Sequence, residues 1–406
     1  MKVLYFGTVC DLEGYEQTVK RCKTKPTIAT IVFESALLEG FRQNGLELDV
    51  FSTPMIPNFR HSKLLYWGRR RETLKCGYSC TWLRTMNVLF FKQITRRLDG
   101  RRVLKKWLLE NRGEDLVVLT YGISPYLSKD ILSLCRKYGA RNCAIVPDLP
   151  RDMFMNLPKN SLGARLKQRY LKSTIRMQGK FDGYVYLTDA MSTEVNPNKP
   201  YVVMEGILNP LCVSEDHAEQ KSSPRGIMYA GMLHEKYGIL NLVDAFEAAK
   251  IADTELWLFG NGTAVEAIRA REAKNPRIRY FGSVTHDEIL TYERQASLLV
   301  NPRSSKEQFT KYSFPSKTIE YMASGTPLLT TRLEGIPTEY FDYVFSVEDN
   351  GVMQLKNALL EIFSLSDEEL SRRGKAAKQF ILEHKNAKKQ SRRVIDFLAA
   401  NMGSKS

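Results

Sequence analysis

Two residues of opposite charge, Lys317 and Glu320, are the clearest candidates for chemistry in this sequence. They stand three positions apart in a stretch that predicts a short helix, so both side chains can project from one face of it. A lysine placed there can bind a phosphate, and a glutamate can accept hydrogen bonds from the hydroxyls of a ribose. The alternative is a solvated lysine–glutamate pair, which is common on helices.

The residues around this pair predict the elements that must position it. An apolar strand ending at Asn301 leads into a polar loop that reaches Lys311. Pro315 suits the first turn of a helix, where its missing N–H group costs nothing, and Gly325 suits the position just after a helix. The strand Pro327–Thr331 follows. Ligands of open α/β sheets bind at the carboxyl ends of the strands, so the pair is expected to face such a crevice.

Three further strands are expected to end in glycine turns. Gly231 follows one strand and precedes Lys236, whose point charge suits a diphosphate. Gly260 and Gly262 end the next strand. The stretch Phe281–Val284 ends another, where exposed backbone groups can contact a nucleobase. One such turn is common, but four at the carboxyl ends of strands indicate a nucleotide site.

The chain alternates between predicted strands and helices, which indicates an α/β protein with mostly parallel sheets. The alternation restarts after a polar stretch at 214–225, and 406 residues exceed the usual size of one hydrophobic core. We therefore predict two Rossmann-like, doubly wound domains, 1–205 and 206–385, that face each other across a cleft. A terminal helix at 386–406 is expected to cross back to the N-terminal domain.

Four motifs in this order resemble glycosyltransferase family four, whose fold is called GT-B. They are Gly231/Lys236/Gly238, Gly260-Asn261-Gly262, Phe281-Gly282-Ser283-Val284, and Phe314-Pro315-Ser316-Lys317 through Glu320 to Pro327. The match is specific from about Met228 to Pro337 and weaker elsewhere. Within the family, the sequence is similar to the bacterial members that build capsular, exopolysaccharide or lipopolysaccharide chains.

The resemblance implies a retaining transfer of a sugar from a nucleotide-sugar, UDP-linked in preference to GDP-linked, to a saccharide or polyprenyl-linked acceptor. The C-terminal domain would bind the donor and the N-terminal domain the acceptor. The resemblance also implies no essential metal and no cofactor besides the donor substrate, and the sequence has no Asp-x-Asp motif. A GT-B epimerase or phosphorylase, and a nucleotide-binding scaffold without turnover, are the alternatives.

Residue by residue, Glu320 corresponds to the second Glu of the family's Glu-x7-Glu motif, which holds the ribose hydroxyls. Lys236 corresponds to the phosphate-binding lysine and is a catalytic candidate. The first Glu of the motif is replaced by Tyr312, and the basic residue after the glycine by Met232. Lys317 would compensate for that lost charge. The expected donor-site residues are Gly231, Lys236, Gly260, Gly262, Val284, Thr310, Lys311, Ser313, Pro315, Ser316, Lys317 and Glu320.

Asp148 is the second catalytic candidate. It follows a predicted strand in the N-terminal half, where it can accept the acceptor's proton or orient the donor sugar. Its alternative role is that of a cap or turn residue before Pro150. The loop Gly7–Gly14, which contains two acidic residues, is another cleft candidate.

The net charge of +15 is concentrated in Arg60–Arg112, which holds fifteen Lys and Arg against three Asp and Glu. This segment is expected to be helical over Lys63–Asn111, and a second basic helix is expected at Arg165–Arg176. Aromatic residues are interleaved with the charges, which suits an anionic membrane surface. A plain solvated basic face is one alternative. Nucleic acid is another, but no RNA- or DNA-binding motif supports it.

The cysteines and the hydropathy pattern bear on location. Seven scattered cysteines are typical of reduced thiols, and no run approaches the roughly 18 apolar residues of a membrane span. The protein is therefore expected in the cytoplasm, peripheral on the inner face of the membrane. Cys76 and Cys80 have no second pair to complete a metal site and are expected to be packing residues.

Overall fold

The computed structural model divides into two units, each built on a large sheet. The first unit comprises Met1–Ile207 with Ala387–Ser406, and the second comprises Leu208–Asn386. The structure describes residues 1–23, 28–57, 59–88, 91–150, 162–208 and 221–403. No helix within these ranges combines the length and the apolar composition needed to cross a bilayer.

Parallel strands form most of the sheet of the first unit. The strands of this unit are β1 (Lys2–Gly7), β2 (Leu48–Ser52), β3 (Tyr66–Trp67), β4 (Arg70–Thr73), β5 (Ser79–Trp82), β6 (Thr85–Met86), β7 (Leu116–Tyr121), β8 (Arg141–Val146), β9 (Gly183–Tyr186) and β10 (Tyr201–Val203). The sheet order is β10-β9-β8-β7-β1-β2-β5-β4, with β4 antiparallel to β5. β3 and β6 form a separate antiparallel pair. The apolar runs of β1, β7 and β8 are buried, as expected for parallel strands covered on both faces.

Helices connect these strands and cover the sheet. They are α1 (Leu12–Val19), α2 (Ile28–Gln43), α3 (Phe91–Glu110), α4 (Pro125–Tyr138), α5 (Leu162–Gln178) and α6 (Met191–Val195). α2 packs Ile31, Leu37 and Phe41 into one core, and α3 packs Leu104 and Trp107 into another. The alternation of strand and helix is what makes the sheet parallel.

The second unit has a wholly parallel sheet. Its strands are β11 (Arg225–Ala230), β12 (Thr254–Phe259), β13 (Ile278–Gly282), β14 (Leu298–Asn301), β15 (Leu328–Thr331) and β16 (Phe345–Val347). Their order is β13-β12-β11-β14-β15-β16. The helices are α7 (Ile239–Ala249), α8 (Val265–Glu272), α9 (His286–Gln295), α10 (Lys317–Ala323), α11 (Val352–Ser364) and α12 (Asp367–His384). The order changes direction beside β11, where α/β sheets bind ligands.

The last helix, α13 (Ala387–Met402), belongs to the first unit. It packs closely against α2 at Gly40. A Cβ added to Gly40 would lie 2.1 Å from the carbonyl oxygen of Ala387, so glycine is needed there. The Asn44 amide donates a hydrogen bond of 2.8 Å to the carbonyl of Lys388. Val394 and Phe397 extend the apolar core of this unit.

The prediction of an α/β protein with parallel sheets is confirmed, as are most of the individual strands and helices. Four elements outside the basic segment were not predicted: α1, which occupies part of the loop expected at Gly7–Gly14, and α6, α11 and β16. α1 has eight residues with a polar composition, and β16 is a three-residue edge strand, so neither shows a strong periodic pattern.

The basic segment requires the largest correction. The helix expected over Lys63–Asn111 is wrong for its first part, where β3 to β6 lie, and only α3 is helical. Gly77, at a φ of +89°, turns the chain between β4 and β5. Cys80 and Trp82 are buried on alternate positions of β5, which is the period of a strand. The density of charge concealed this alternation.

A buried carboxyl joins α2 to the end of β1. Glu34 is fully buried and accepts hydrogen bonds from the Tyr5 hydroxyl (2.8 Å), the Thr8 amide (2.9 Å) and the Thr8 hydroxyl (2.5 Å). Burial raises the pKa of Glu34 to about 7, although the hydrogen bonds from Thr8 and Tyr5 oppose the rise. The folded protein therefore holds a proton that the unfolded chain releases near pH 4.5.

We predict that Glu34→Gln removes this proton linkage. The carboxyl contributes stability that is lost as the pH rises from 4.5 to about 7, a loss of roughly 3 kcal/mol. The free energy of unfolding of Glu34→Gln, relative to that of the wild type, should therefore increase across this window. Urea denaturation at several pH values measures it, and Glu39→Gln on the same helix is the control. A difference that does not vary with pH would contradict the assignment.

Candidate functional site

The loops that follow three neighbouring strands of the second unit are joined by backbone hydrogen bonds. The amide of Gly231, after β11, donates to the carbonyl of Phe259 at the end of β12 (3.0 Å). The amide of Gly260 donates to the carbonyl of Gly282 at the end of β13 (2.7 Å), and that of Leu233 to Asn261 (2.9 Å). The predicted glycine turns are thus assembled at one edge of the sheet.

Glycine is required at this edge because the loops approach one another closely. Gly260 has a φ of +120°, and a Cβ added to it would lie 1.8 Å from the carbonyl oxygen of Gly231. A Cβ on Gly262 would lie 2.2 Å from the backbone of Leu233. Both glycines therefore serve the packing of these loops, whatever they also offer to a ligand.

Tyr321 anchors α10 to the end of β11. Its fully buried hydroxyl accepts a hydrogen bond from the amide of Ala230 (2.8 Å) and donates one to the carbonyl of the same residue (3.1 Å). Gly325, at a φ of +79°, follows the helix, as predicted for a residue that ends it. These contacts hold the helix that carries Lys317 and Glu320 at the carboxyl edge of the sheet.

Lys317 and Glu320 are brought together by α10. Their Nζ and Oε1 atoms are 2.5 Å apart, and both side chains are partly exposed. Burial opposes the ionisation of Glu320, but the neighbouring Lys317 cation outweighs it and lowers the pKa of this carboxyl. Glu320 is therefore an ionised acceptor, the form that suits the hydroxyls of a ribose.

A third acidic residue, Glu293 on α9, lies beneath this pair and was not predicted. It is fully buried, and its Oε1 is 3.7 Å from Nζ of Lys317. Neither of its carboxyl oxygens accepts a hydrogen bond from the described residues. Burial, followed by the charge of Glu320, raises the pKa of Glu293 well above its usual range. A protonated Glu293 can donate a hydrogen bond to the Glu320 carboxylate, which leaves Glu320 as the only anion of these two glutamates.

Arg303 is the second residue that the sequence did not reveal. It follows β14, and its guanidinium lies 5.1 Å from the ring centroid of Tyr237. Burial lowers the pKa of Arg303, and the hydroxyls of Tyr229 and Tyr321 are its other electrostatic neighbours. The only sequence signal is its position directly after an apolar strand.

Lys236 completes a group of three cations with Arg303 and Lys317. Its Nζ is 5.3 Å from the ring centroids of both Tyr237 and Phe309. Tyr237 is therefore shared by Lys236 and Arg303, and Tyr229 is electrostatically coupled to both Arg303 and Lys317. We call these three residues the cation group. With one ionised carboxylate beside it, this edge of the sheet is suited to an anion such as a diphosphate.

The remaining predicted donor-site residues lie after β13 and in the loop before α10. Val284 is half-buried after β13. In the loop before α10, the buried Thr310 hydroxyl donates to the carbonyl of Glu307 (2.6 Å), and Lys311 pairs with Glu334 at 2.9 Å. These two side chains are thus engaged within the protein. Ser313 is half-buried, Pro315 buried and Ser316 exposed.

The other positions singled out by the sequence have distinct surroundings. Tyr312, which replaces the motif glutamate, is half-buried at the end of the short turn Gln308–Tyr312. Met232 is 57% exposed. Asp148 belongs to the first unit, where it is exposed just after β8 and electrostatically coupled to Tyr121. It is therefore not part of the cluster formed within the second unit.

The second unit contains the part of the sequence that matches a known family. Residues 224–364 match the family model of the group 1 glycosyl transferases. This segment contains Lys236, Arg303, Lys317 and Glu320, together with the strand-end glycines. No curated protein matches the sequence.

Solved structures of glycosyltransferases share the fold over nearly the whole chain. Sucrose-phosphate synthase from Thermosynechococcus elongatus aligns with a TM-score of 0.65 at 14% identity, covering 98% of this chain and 99% of that one. The catalytic domain of starch synthase IV from Arabidopsis thaliana, bound to ADP and acarbose, aligns with a TM-score of 0.64 at 9% identity, with the same coverage. Anabaena HepE in complex with UDP and glucose aligns with a TM-score of 0.60 at 11% identity, covering 98% of this chain and 100% of that one. The GT-B fold expected from the sequence is confirmed.

The anchoring of α10 leads to a first prediction about this site. Tyr321→Phe leaves the amide of Ala230 buried without its acceptor, which should cost about 1–3 kcal/mol of unfolding free energy. Chemical denaturation of the full chain measures the change. Tyr66→Phe, which removes a hydroxyl from an exposed ring, is the matched control and should be neutral. Equal stability of Tyr321→Phe and the wild type would show that the hydrogen bonds do not hold the helix.

Proposed function

We propose that the protein is a glycosyltransferase that transfers a sugar from a nucleotide-sugar to an acceptor, with the donor bound by the second unit. The observation that carries the proposal is the cation group beside the ionised Glu320. These residues meet at the carboxyl edge of a parallel sheet, within the segment that matches group 1 glycosyl transferases.

Each residue of the cluster has a role in this proposal. Lys236, Arg303 and Lys317 bind the diphosphate and stabilise the negative charge that grows on it as the bond to the sugar breaks. Glu320 accepts hydrogen bonds from the ribose hydroxyls. Protonated Glu293 keeps that carboxylate in place without adding a second negative charge next to the phosphates.

The finer features of the reaction follow from the resemblance. We propose a UDP-linked donor, transfer with retention at the anomeric carbon, and catalysis that does not depend on a metal. Structures with the same fold have been solved with UDP and with ADP, which supports a nucleoside diphosphate in general. The charge that a metal would otherwise supply to the diphosphate would come from the cation group.

We assign the acceptor to the first unit, and propose cell-surface polysaccharide biosynthesis, such as that of a capsule, as the pathway class. The acceptor would be a saccharide or a polyprenyl-linked saccharide. Asp148 remains a proposed residue for accepting the acceptor's proton or orienting the donor sugar, since it is exposed at the carboxyl end of β8.

We further propose that the basic segment Arg60–Arg112 holds the protein on the anionic inner face of the cytoplasmic membrane. Trp82 and Trp107 are buried, so part of its aromatic content belongs to the core. Other apolar side chains are exposed among the basic residues: Leu65, Tyr66, Met86, Val88, Phe91, Ile94 and Leu98. Exposed apolar side chains within a cationic surface are suited to an anionic bilayer.

Tyr312 favours one alternative, a nucleotide-binding scaffold without turnover. The family motif places a glutamate there, and a phenol cannot supply the same carboxylate. Such a protein would bind nucleotide through the same cluster but would not release free nucleoside diphosphate when an acceptor is supplied. Turnover therefore separates the two functions, and binding does not.

The donor site predicts which variants lose nucleotide binding. A ligand at about one hundred times its dissociation constant adds roughly 2.7 kcal/mol of stability, which a thermal-shift panel of UDP, GDP, ADP and their sugar conjugates detects. Arg303→Gln, Lys236→Ala and Glu320→Ala should each weaken the binding of the nucleotide that gives the shift by about tenfold or more, because each variant removes a charged partner.

Lys306→Ala is the control for these variants. Lys306 is exposed on the same loop as Arg303, so the variant removes an equal charge without touching the cluster. It should keep the full thermal shift. If the thermal shift is retained in all three variants, Arg303→Gln, Lys236→Ala and Glu320→Ala, the nucleotide binds at a different site.

The membrane proposal predicts the effect of removing exposed charges from α3. Each Lys or Arg at an anionic surface contributes about 1 kcal/mol, so Arg102→Gln/Lys105→Gln/Lys106→Gln should lower liposome partitioning by roughly 100-fold. The control Lys250→Gln/Lys274→Gln/Lys306→Gln removes three exposed charges from the second unit. Cosedimentation with anionic vesicles measures the effect. Equal loss in both triple variants would mean that only net charge matters.

A further inference from the structure

A cavity of about 230 Å³ lies at the carboxyl ends of β1, β2 and β7 in the first unit. Its lining is rich in hydroxyl groups, among them those of Thr8, Thr53, Ser124, Tyr126 and Tyr170. Hydroxyl groups both donate and accept hydrogen bonds, so they match the hydroxyls of a sugar. The volume is below the roughly 300–1,000 Å³ of pockets that enclose a whole small molecule, so the cavity suits one end of a larger saccharide.

Two tyrosines form an aromatic wall of this cavity. The ring centroids of Tyr126 and Tyr170 are 5.9 Å apart, and the ring planes are inclined at 47°. Tyr126 is 43% exposed, so its ring is open to a ligand. The C–H faces of a sugar ring are apolar and pack against aromatic rings, while its hydroxyls need polar partners at fixed positions. Aromatic rings beside several hydroxyls therefore favour a saccharide in this cavity.

Thr8 connects the cavity to the buried carboxyl of Glu34. Thr8 is half-buried and lines the cavity. Its hydroxyl donates a hydrogen bond of 2.5 Å to Oε2 of Glu34, and its amide donates one of 2.9 Å to Oε1. A hydroxyl has one proton and two lone pairs. Because that proton is directed to the carboxyl group, the Thr8 oxygen is left to accept a hydrogen bond from a hydroxyl in the cavity.

Glu34 is held directly against the end of β1. A Cβ added to Gly7, the last residue of this strand, would lie 2.0 Å from Oε1 of Glu34, so glycine lets the carboxyl approach. The Tyr5 hydroxyl donates to the same oxygen at 2.8 Å. Glu34 is fully buried and does not itself line the cavity. It can therefore act on a ligand there through the Thr8 hydroxyl.

The groups around Glu34 leave it as the one that changes charge near neutral pH. Four titratable residues are electrostatically coupled to it: Tyr5 on β1, Cys10 before α1, Cys80 on β5 and Tyr121 on β7. Burial raises the pKa of each of these four, so all four are neutral at pH 7. Burial also raises the pKa of Glu34, to about 7. A general base works best when its pKa lies near the working pH.

We propose that Thr8 and Glu34 form a proton relay for the acceptor hydroxyl, with the end of the acceptor saccharide bound in the cavity. This inference rests on the proposed function, because it concerns the proton that sugar transfer removes from the acceptor. Thr8 is the catalytic residue that touches the acceptor, and Glu34 positions the Thr8 hydroxyl and receives its proton. Asp148 is then left with the orientation of the donor sugar.

The relay balances the protons and electrons of the transfer. The acceptor oxygen bonds to the anomeric carbon while the bond between that carbon and the diphosphate breaks, and the electron pair of the broken bond goes to the diphosphate. The acceptor's proton moves to the Thr8 oxygen as the Thr8 proton moves to Oε2 of Glu34. After the product leaves, the reverse movement returns the proton to water, and Glu34 is ionised again.

Release of free nucleoside diphosphate, with water as the acceptor, tests the relay. The donor is the nucleotide-sugar that gives the thermal shift, and the rate is measured between pH 5.5 and 8.5. The wild-type rate should rise with pH with a midpoint near 7, because the base must be ionised. Glu34→Gln and Thr8→Val should each be at least tenfold slower at pH 8 and should lack this midpoint. Thr8→Ser, which keeps the hydroxyl, should keep both the rate and the midpoint.

Thr53→Val is the matched control. Thr53 lines the same cavity, and its hydroxyl makes only a long hydrogen bond of 3.4 Å to the carbonyl of Gly7. The variant removes a hydroxyl from the cavity without touching Glu34, so it should keep the midpoint near pH 7 even if it binds an acceptor less tightly. Circular dichroism spectra check that each variant is folded.

The failure of the relay and the failure of the proposed function give different results. A rate and a pH profile that are the same in the wild type, Glu34→Gln and Thr8→Val would overturn the relay and leave sugar transfer standing. A midpoint that is lost in Asp148→Asn and kept in Glu34→Gln would assign the proton to Asp148 instead. No release of nucleoside diphosphate by the wild type, although a nucleotide binds, would contradict transfer and relay together.

Discussion

The hydroxyl of Tyr321 makes two hydrogen bonds to the backbone of Ala230, and the geometry of the candidate donor site depends on them. α10 has only seven residues, too few to be stable by itself, so its position is set by what it packs against. The buried ring connects this helix to the end of β11, and Lys317 and Glu320 project from it. Arg303, on the loop after β14, is electrostatically coupled to Tyr321 and so belongs to the same cluster.

The spacing of Lys317 and Glu320 and the strand-end glycines could be recognised in the sequence as a candidate donor site, because local periodicity determines both. Glu293 and Arg303 could not be found in this way. Glu293 is buried beside Lys317 of α10, a helix that follows it in the chain, and the surroundings of Arg303 come from three separate segments. The basic segment shows a related limit, since a density of charge predicts a surface but does not distinguish helix from strand.

Uncompensated cations recur at the carboxyl edges of both sheets. In the second unit they are Lys236 and Arg303, and in the first Lys92 and Arg96, and none of the four has an ion-pair partner among the described carboxylates. Elsewhere, residues such as Arg97 and Arg101 are neutralised by Asp130. A cation without a counter-ion at the carboxyl end of a strand can bind an anion, which agrees with the diphosphate site proposed for the second unit.

Hydrogen–deuterium exchange of the full chain, with and without UDP, GDP or ADP, is the most direct test of the claim that the second unit binds a nucleotide at this edge. One nucleotide should slow exchange in the segments 231–238, 301–304 and 316–321, and leave the other edge of the same sheet unchanged. Protection confined to the first unit, or no protection by any of the three, would contradict the account.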